Sequence, residues 1–314
     1  MTKLRFAIPS KGRLKENAED WLKSCGFRVR QLGGSRGYRA ELSGIADIDM
    51  TLLSAREIAQ GLIAGDLHIG VTGQDLLNDL SHDVERDVSI IKELGFGYAD
   101  VVVAVPAAWL DVETMADLEA AGAAFRTTHG RRLRVATKYL NITRRYFADK
   151  SVGEYRLVES AGATEAAPAA GSADVIVDIT TTGATLKANN LKILKDGVML
   201  RSQATLSGSL QAEWSEGCRA SLRTLLGNVA ARERADAYVT LSSASPIPDQ
   251  IIKSHDLIVI HDSKALVLKK FASDIADSIT QLGCGPVTLY QSDFIYLEAN
   301  TFFDRFVEKL ESSA

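Results

Sequence analysis

Two adjacent α/β lobes with a groove between them, followed by a small α+β domain, are what this chain of 314 residues predicts. Apolar strand-like runs alternate with segments of helical period through the first two thirds of the chain. The connections are short, which implies crossovers and so parallel or mixed sheets. From about Asp236 the pattern changes, and the close pair Pro246 and Pro248 marks that change.

The elements follow in order. "LRFAIPS" reads as a strand ending at Pro9, and Leu14, Ala18, Trp21, Leu22 and Cys25 then share one helical face that stops at Gly26. "DMTLLSA" is a strand, "AREIAQGLIAG" a helix closed by Gly65, "LHIGVTG" a strand and "QDLLNDL" a helix. A second set begins near Tyr98: strand "ADVVVAVP", helix "VETMADLEAAG", strand "RRLRVAT", helix "KYLNITRRYFADK", then strands "EYRLVES" and "DVIVDIT". The division predicted is a first lobe over 1–98 completed by about 190–230, a second over 99–189, and a C-terminal domain over 235–314. In that last part Leu268, Phe271, Ala272, Ile275, Ile279 and Leu282 fall on one helical face, "PVTLYQSDFIYLE" alternates like a strand or hairpin, and "TFFDRFVEKL" closes as a helix.

Bulk properties exclude several classes. A formal net charge of -4 argues against nucleic acid, which selects clustered basic faces. No apolar run approaches the roughly 18–20 residues that span a bilayer. "MTKLRFAIPS" enters a strand without a signal-peptide core, so a cytoplasmic location is expected. Cys25, Cys218 and Cys284 are far apart and suit a reducing compartment and core positions. The five histidines show no metal-ligand spacing.

The stretch "DVIVDITTTGATLKANNL" carries the chemistry. A central parallel strand delivers Thr180, Thr181, Thr182 and Gly183 to its carboxyl end, where open α/β sheets bind ligands. Gly183 permits close backbone approach, and Thr182 and Thr185 offer hydroxyls beside the free N–H groups of a helix start, a combination suited to phosphate. The same residues also suit an ordinary capped turn. A helix terminus contributes on the order of 1 kcal/mol, against about 8 kcal/mol for micromolar binding, so cationic groups must converge on the ligand. Asp178, at the strand tip, suits ribose hydroxyls. Candidate cations are Lys11 and Arg13 in "IPSKGRL" and Arg36 in the glycine-rich "GGSRGYRAEL". Lys138 and Tyr139, at a strand-to-helix junction, are further ligand candidates, whereas Arg144 and Arg145 read as surface charges.

Taken together, "AIPSKGRL", "GGSRGYRAEL", "GDLHIGVTGQDLL", "RLRVATKYLNITRRYF", "GATEAAP" and "DVIVDITTTGATLKANNL" resemble the ATP phosphoribosyltransferase family, the first enzymes of histidine biosynthesis, over roughly residues 4–230. The resemblance implies a two-lobed catalytic core of the periplasmic-binding-protein type. It implies transfer of phosphoribosyl from magnesium-bound phosphoribosyl pyrophosphate to a purine ring nitrogen of ATP, with release of pyrophosphate. It assigns Thr181, Thr182, Gly183, Ala184 and Thr185 to the phosphoribosyl pyrophosphate, with Glu165 and Asp178 facing the ribose. Lys11, Arg13, Arg36, Lys138 and Tyr139 would bind ATP and pyrophosphate, with Arg13 and Arg36 catalytic and Mg2+ held by substrate. A homo-oligomer, dimer or hexamer, is implied, with histidine or a regulatory subunit as a further partner. Asn190 stands where the family often has Gly, and the last 80 or so residues match no motif of the family's histidine-sensing domain.

Overall fold

The computed structural model describes residues 3–33, 37–45, 47–160, 162–255 and 257–312. The chain opens with β1 (Leu4–Pro9), α1 (Gly12–Ser24), β2 (Val29–Gln31), β3 (Arg39–Leu42), β4 (Ile48–Leu53), α2 (Ala55–Ala64), β5 (Ile69–Gly73), α3 (Gln74–Leu80), α4 (Val84–Asp87) and β6 (Val88–Glu93). It crosses to a second lobe of β7 (Asp100–Pro106), α5 (Met115–His129), β8 (Leu133–Thr137), α6 (Leu140–Asp149), β9 (Tyr155–Glu159), β10 (Val175–Thr180), α7 (Ala184–Ala188) and β11 (Leu191–Leu200). It then returns through β12 (Ala204–Ser209) and α8 (Glu216–Ala237). The first sheet runs β2-β3-β4-β1-β5-β12-β6, the second β11-β7-β10-β8-β9. Both are mixed: β1 is parallel to β4 and β5, and β10 to β8, whereas β12 and β7 run against their neighbours.

Alternation along β1 shows why both faces of the first sheet are covered. Leu4, Phe6 and Ile8 enter a core with Leu22, Leu222 and Leu225, while Ala7 on the opposite face meets Ile58 and Leu62 of α2. In the second lobe Val101, Val103 and Val105 of β7 pack on one side, and Val102 and Ala104 on the other. Asn190, just past α7, adopts φ 54, the left-handed geometry that asparagine tolerates in place of glycine.

Beyond α8 come β13 (Tyr238–Ser243), α9 (Asp249–His255), β14 (Ile258–His261), β15 (Lys264–Leu268), α10 (Ala272–Gln281), β16 (Val287–Tyr290) and α11 (Thr301–Ser312). Their antiparallel sheet, β14-β15-β13-β16, packs Leu241, Ala265 and Val267 against Ile275 and Ile279 of α10.

Several expectations change here. The helical face drawn from Leu268 to Leu282 is too long: Leu268 ends β15, a 3-10 turn covers Lys269–Phe271, and Phe271 and Leu282 are exposed. Only Val287–Tyr290 of the alternating stretch is a strand, since Ile295 packs separately with Ala235 and Leu266. β11 lies in the second sheet, so the second lobe extends to Leu200 rather than 189. α11, assigned by sequence to the C-terminal domain, buries Phe302, Phe303, Phe306 and Leu310 in the first lobe's core. That fit requires Gly208 in β12, where a Cβ would stand 2.4 Å from Phe306 Cε2.

Candidate active site

Residues 94–99 and 201–203 connect the two lobes side by side. Leu94 and Ala204 N–H donate to Ala204 O and Phe96 O, at 3.0 and 2.9 Å, and Ala99 N–H donates to Ser202 O at 2.9 Å. Beside this ribbon lies a cleft of about 980 Å3, walled by both lobes. Arg13 and Asn17 of α1 line it from the first lobe, and Lys138 and the loop after β10 from the second. Gly12, at φ 71, turns the chain between β1 and α1 so that Arg13 faces the opening.

The loop after β10 is shaped by its own hydroxyls. Thr180 Oγ1 accepts the Gly183 N–H at 2.8 Å, and Thr182 Oγ1 accepts the Ala184 N–H at 3.4 Å. Thr181 Oγ1 donates to Tyr98 O at 3.1 Å, tying the loop to the interlobe ribbon. Gly183 sits at φ 74, which explains glycine there better than space does: an added Cβ would meet only Ile193 Cδ1, at 3.9 Å. α7 has five residues, so its dipole is short and weak, and local N–H groups and hydroxyls must do more than the sequence argument supposed.

Asp178 lies half-buried at the strand end. Burial pushes its carboxyl up; the Ile179 N–H, 2.9 Å from Oδ1, and the charge of Lys138 pull it down, and Glu165 pushes it up again. Asp178, Glu165 and Lys138 therefore share one local field. Lys11 is the exposed N-cap of α1 and is not part of the cleft wall; Arg36 lies outside the described residues.

Tyr139 departs from expectation. Its side chain is 1% exposed and its hydroxyl donates to Asp75 Oδ2 at 2.6 Å across the lobe junction, which leaves no free donor for a phosphate. Burial first, then the Asp75 charge, raises the phenol well above its ordinary value and keeps it protonated. Arg145, read as a surface charge, is partly buried and donates to the carbonyls of Asn78 and Ser81 at the end of α3. Sequence reasoning passed over Asp75, Asp79, Ser202 and Tyr98. Their one available signal was the polar spacing of "QDLLNDL", where Asp75 and Asp79 interrupt an apolar helix one turn apart.

The cysteines take core positions. Cys25 and Cys218 are buried, burial pushes the Cys25 thiol up to about 11, and Cys284 packs beside the α10 core.

A family model described as HisG: ATP phosphoribosyltransferase matches residues 54–230, more than half of the chain. The chain belongs to the ATP phosphoribosyltransferase family. The ATP phosphoribosyltransferase of Caulobacter vibrioides (strain NA1000 / CB15N) is 48% identical over 319 residues, 99% of each chain. That of Rhodopseudomonas palustris (strain HaA2) is 47% identical over 286 residues, 91% of this chain and 86% of the relative. Among solved structures, an ATP phosphoribosyl transferase (HisG:HisZ) complex from Thermotoga maritima matches with TM-score 0.51 and 28% identity, over 65% of this chain and 87% of that one. As a member of the ATP phosphoribosyltransferase family the chain is a pentosyltransferase, and the family acts at the first step of histidine biosynthesis. Among the described residues no helix is long and apolar enough to cross a membrane.

Proposed function

We propose that this chain binds phosphoribosyl pyrophosphate and ATP in the interlobe cleft and transfers phosphoribosyl to a purine ring nitrogen of ATP, releasing pyrophosphate. The observation that carries this reading is the meeting of a threonine-rich loop and cations from both lobes in one cleft, with Asp178 behind its wall and within the field of Lys138. Thr181, Thr182, Gly183, Ala184 and Thr185 take the 5′-phosphate, the Gly183 and Ala184 N–H groups exchanging their present partners, Thr180 and Thr182 Oγ1, for its oxygens at a backbone that glycine leaves open. Asp178 and Glu165 take the ribose hydroxyls. Arg13 and Lys138, with Lys11 beside Arg13 at the start of α1, bind the phosphates, and Arg36 is assigned to them from the sequence alone.

Displacement at the anomeric carbon passes through an oxocarbenium-like state and requires alignment rather than a protein nucleophile. The growing negative charge on the departing pyrophosphate is met by Arg13 from one lobe and Lys138 from the other. Magnesium, when carried on the substrate phosphates, supplies further neutralisation of that charge. Asp178 and Glu165 are hard oxygen donors of the kind that suits it. A purine ring nitrogen needs no base to make it nucleophilic, so residues that hold the purine still are sufficient. Histidine or a regulatory subunit as ligand, a dimer or hexamer as assembly, and the cytoplasm as compartment complete the proposal. Control or assembly is assigned to the sheet of β13–β16.

Incubating the protein with ATP, phosphoribosyl pyrophosphate and magnesium, with pyrophosphatase to draw the reaction forward, tests it by ultraviolet absorbance and product mass. Phosphoribosyl-ATP is the expected product. Consumption of the sugar donor only when another base replaces ATP would overturn the choice of acceptor.

A further inference from the structure

α3 presents two carboxylates, Asp75 and Asp79, one helical turn apart on the face that meets the second lobe. Asp75 accepts the Tyr139 hydroxyl and, through Oδ1 at 3.0 Å, the hydroxyl of Ser202, whose oxygen in turn accepts the Asp75 N–H at 3.0 Å. Asp79 Oδ1 accepts the N–H groups of Asn141 and Ile142, at 2.9 and 3.2 Å, where α6 begins. Tyr139, the N-cap of α6, provides no side-chain cap of its own, so the first lobe supplies it. Arg145 of α6 returns the arrangement by donating to the last carbonyls of α3. The two helices, from different lobes, cap each other.

Asp75, Asp79 and Tyr139 are all buried. Buried polar groups of this kind contribute little net adhesion compared with apolar packing of equal volume, but each has only one geometry in which it is satisfied. The junction is therefore selective for one lobe orientation. It also reaches the cleft: Lys138 Nζ lies 5.0 Å from the Tyr139 ring centroid, and Tyr139, Lys138 and Asp75 all line the cavity.

We infer that the Tyr139–Asp75 bond and the Asp79 cap on α6 form a positioning latch that sets the distance between Arg13 on one lobe and the Asp178–Thr185 loop on the other. Tyr139 and Asp75 are positioning residues, and the inference rests on the proposed function for what is positioned. Without the latch the competent lobe arrangement is only partly populated, and apparent affinity falls by that fraction for every ligand that bridges the cleft.

Tyr139→Phe removes one oxygen and keeps the ring. Its expected signature is KM raised about tenfold for both ATP and phosphoribosyl pyrophosphate with kcat within about twofold. Amide exchange at Asn141, Ala99 and Ala204 should quicken in the absence of substrate. Asp75→Asn, whose carbonyl oxygen still accepts the phenol, should stay within about threefold of the original KM values, on the scale of one neutral hydrogen bond replacing a charged one. Unchanged exchange in Tyr139→Phe, or a KM change confined to one substrate, overturns the latch. Should Tyr139→Phe not fold, Asp79→Ala removes the cap on α6, the other half of the latch, and is judged by the same readouts. Exchange is read without turnover, so a chain that made no phosphoribosyl-ATP would refute the function while leaving the latch to be decided.

Discussion

Asp178 is held at a cost. Burial raises its pKa above the ordinary 3.8 despite Lys138 nearby, so between the unfolded and folded values the folded chain holds more of the proton. The stability associated with this group is fully present below the unfolded value and is lost as pH rises through the folded one. At neutral pH the carboxylate is a net burden, and a burden of that type is kept where function needs it. Asp178→Asn retains an acceptor for the Ile179 N–H and removes the buried charge. It should raise the melting midpoint by about 1–3 °C, while turnover falls roughly a hundredfold. A midpoint that drops, or an unchanged kcat, would count against Asp178 as a buried ribose ligand. Its place was readable from sequence, since an acid ends an apolar strand and begins a threonine run. Tyr139 was not: an aromatic at a strand-to-helix junction suits a ligand contact and a core contact equally, and only the location of Asp75, 64 residues earlier, distinguishes them.

Among the elements, α2 shows how local sequence and cleft geometry connect. Ser54 accepts the Glu57 N–H and Glu57 accepts the Ser54 N–H, at 3.2 and 2.8 Å, a complete capping box, and Gly65 closes the helix at φ 79. The Ser54 hydroxyl and N–H hold the Glu57 carboxyl below its ordinary range. The cap fixes Ala55 at the cleft wall and places Arg56 Nη1 3.8 Å from Asp79 Oδ2. Ser54→Ala should lower stability by about 1 kcal/mol, measured by urea unfolding, with KM rising only slightly; a loss above 3 kcal/mol would mean the box holds more than its helix. Helices such as α2 were legible because their signals are local. β12 was not: its Thr205, Ser207 and Ser209 are fully buried, yet small hydroxyl residues carry no apolar period; Thr205 and Ser207 are satisfied by a 2.8 Å contact with each other, and Ser209 by accepting the N–H groups of Gln211 and Ala212 in the loop beyond. α8 was passed over although Cys218, Leu222, Leu225, Leu226 and Val229 recur at three- and four-residue spacing and form its buried stripe.

At the scale of the whole molecule, α11 ties the C-terminal end to the first lobe. Phe302, Phe303, Phe306 and Leu310 are each at least nine-tenths buried against that core. At about 1.5–3 kcal/mol for each large apolar side chain, their removal approaches the total stability of a typical domain. A chain ending before Thr301 should therefore lose cooperative unfolding of the first lobe and, with it, binding of substrates. A melting curve unchanged by that truncation would show that the core closes without α11. Regulation by histidine is accordingly best tested on the full chain, because shortening it disturbs the catalytic lobe directly.

The amino-acid order alone determined the alternation of strands and helices, the loop after β10 and the family, because hydrophobic period, caps and glycine positions act over a few residues. Which carboxylate meets which hydroxyl across the lobes, and where the last helix docks, were decided only by tertiary structure. Those contacts join residues far apart in the chain, and their free energy depends on burial and geometry that exist only after the lobes have come together.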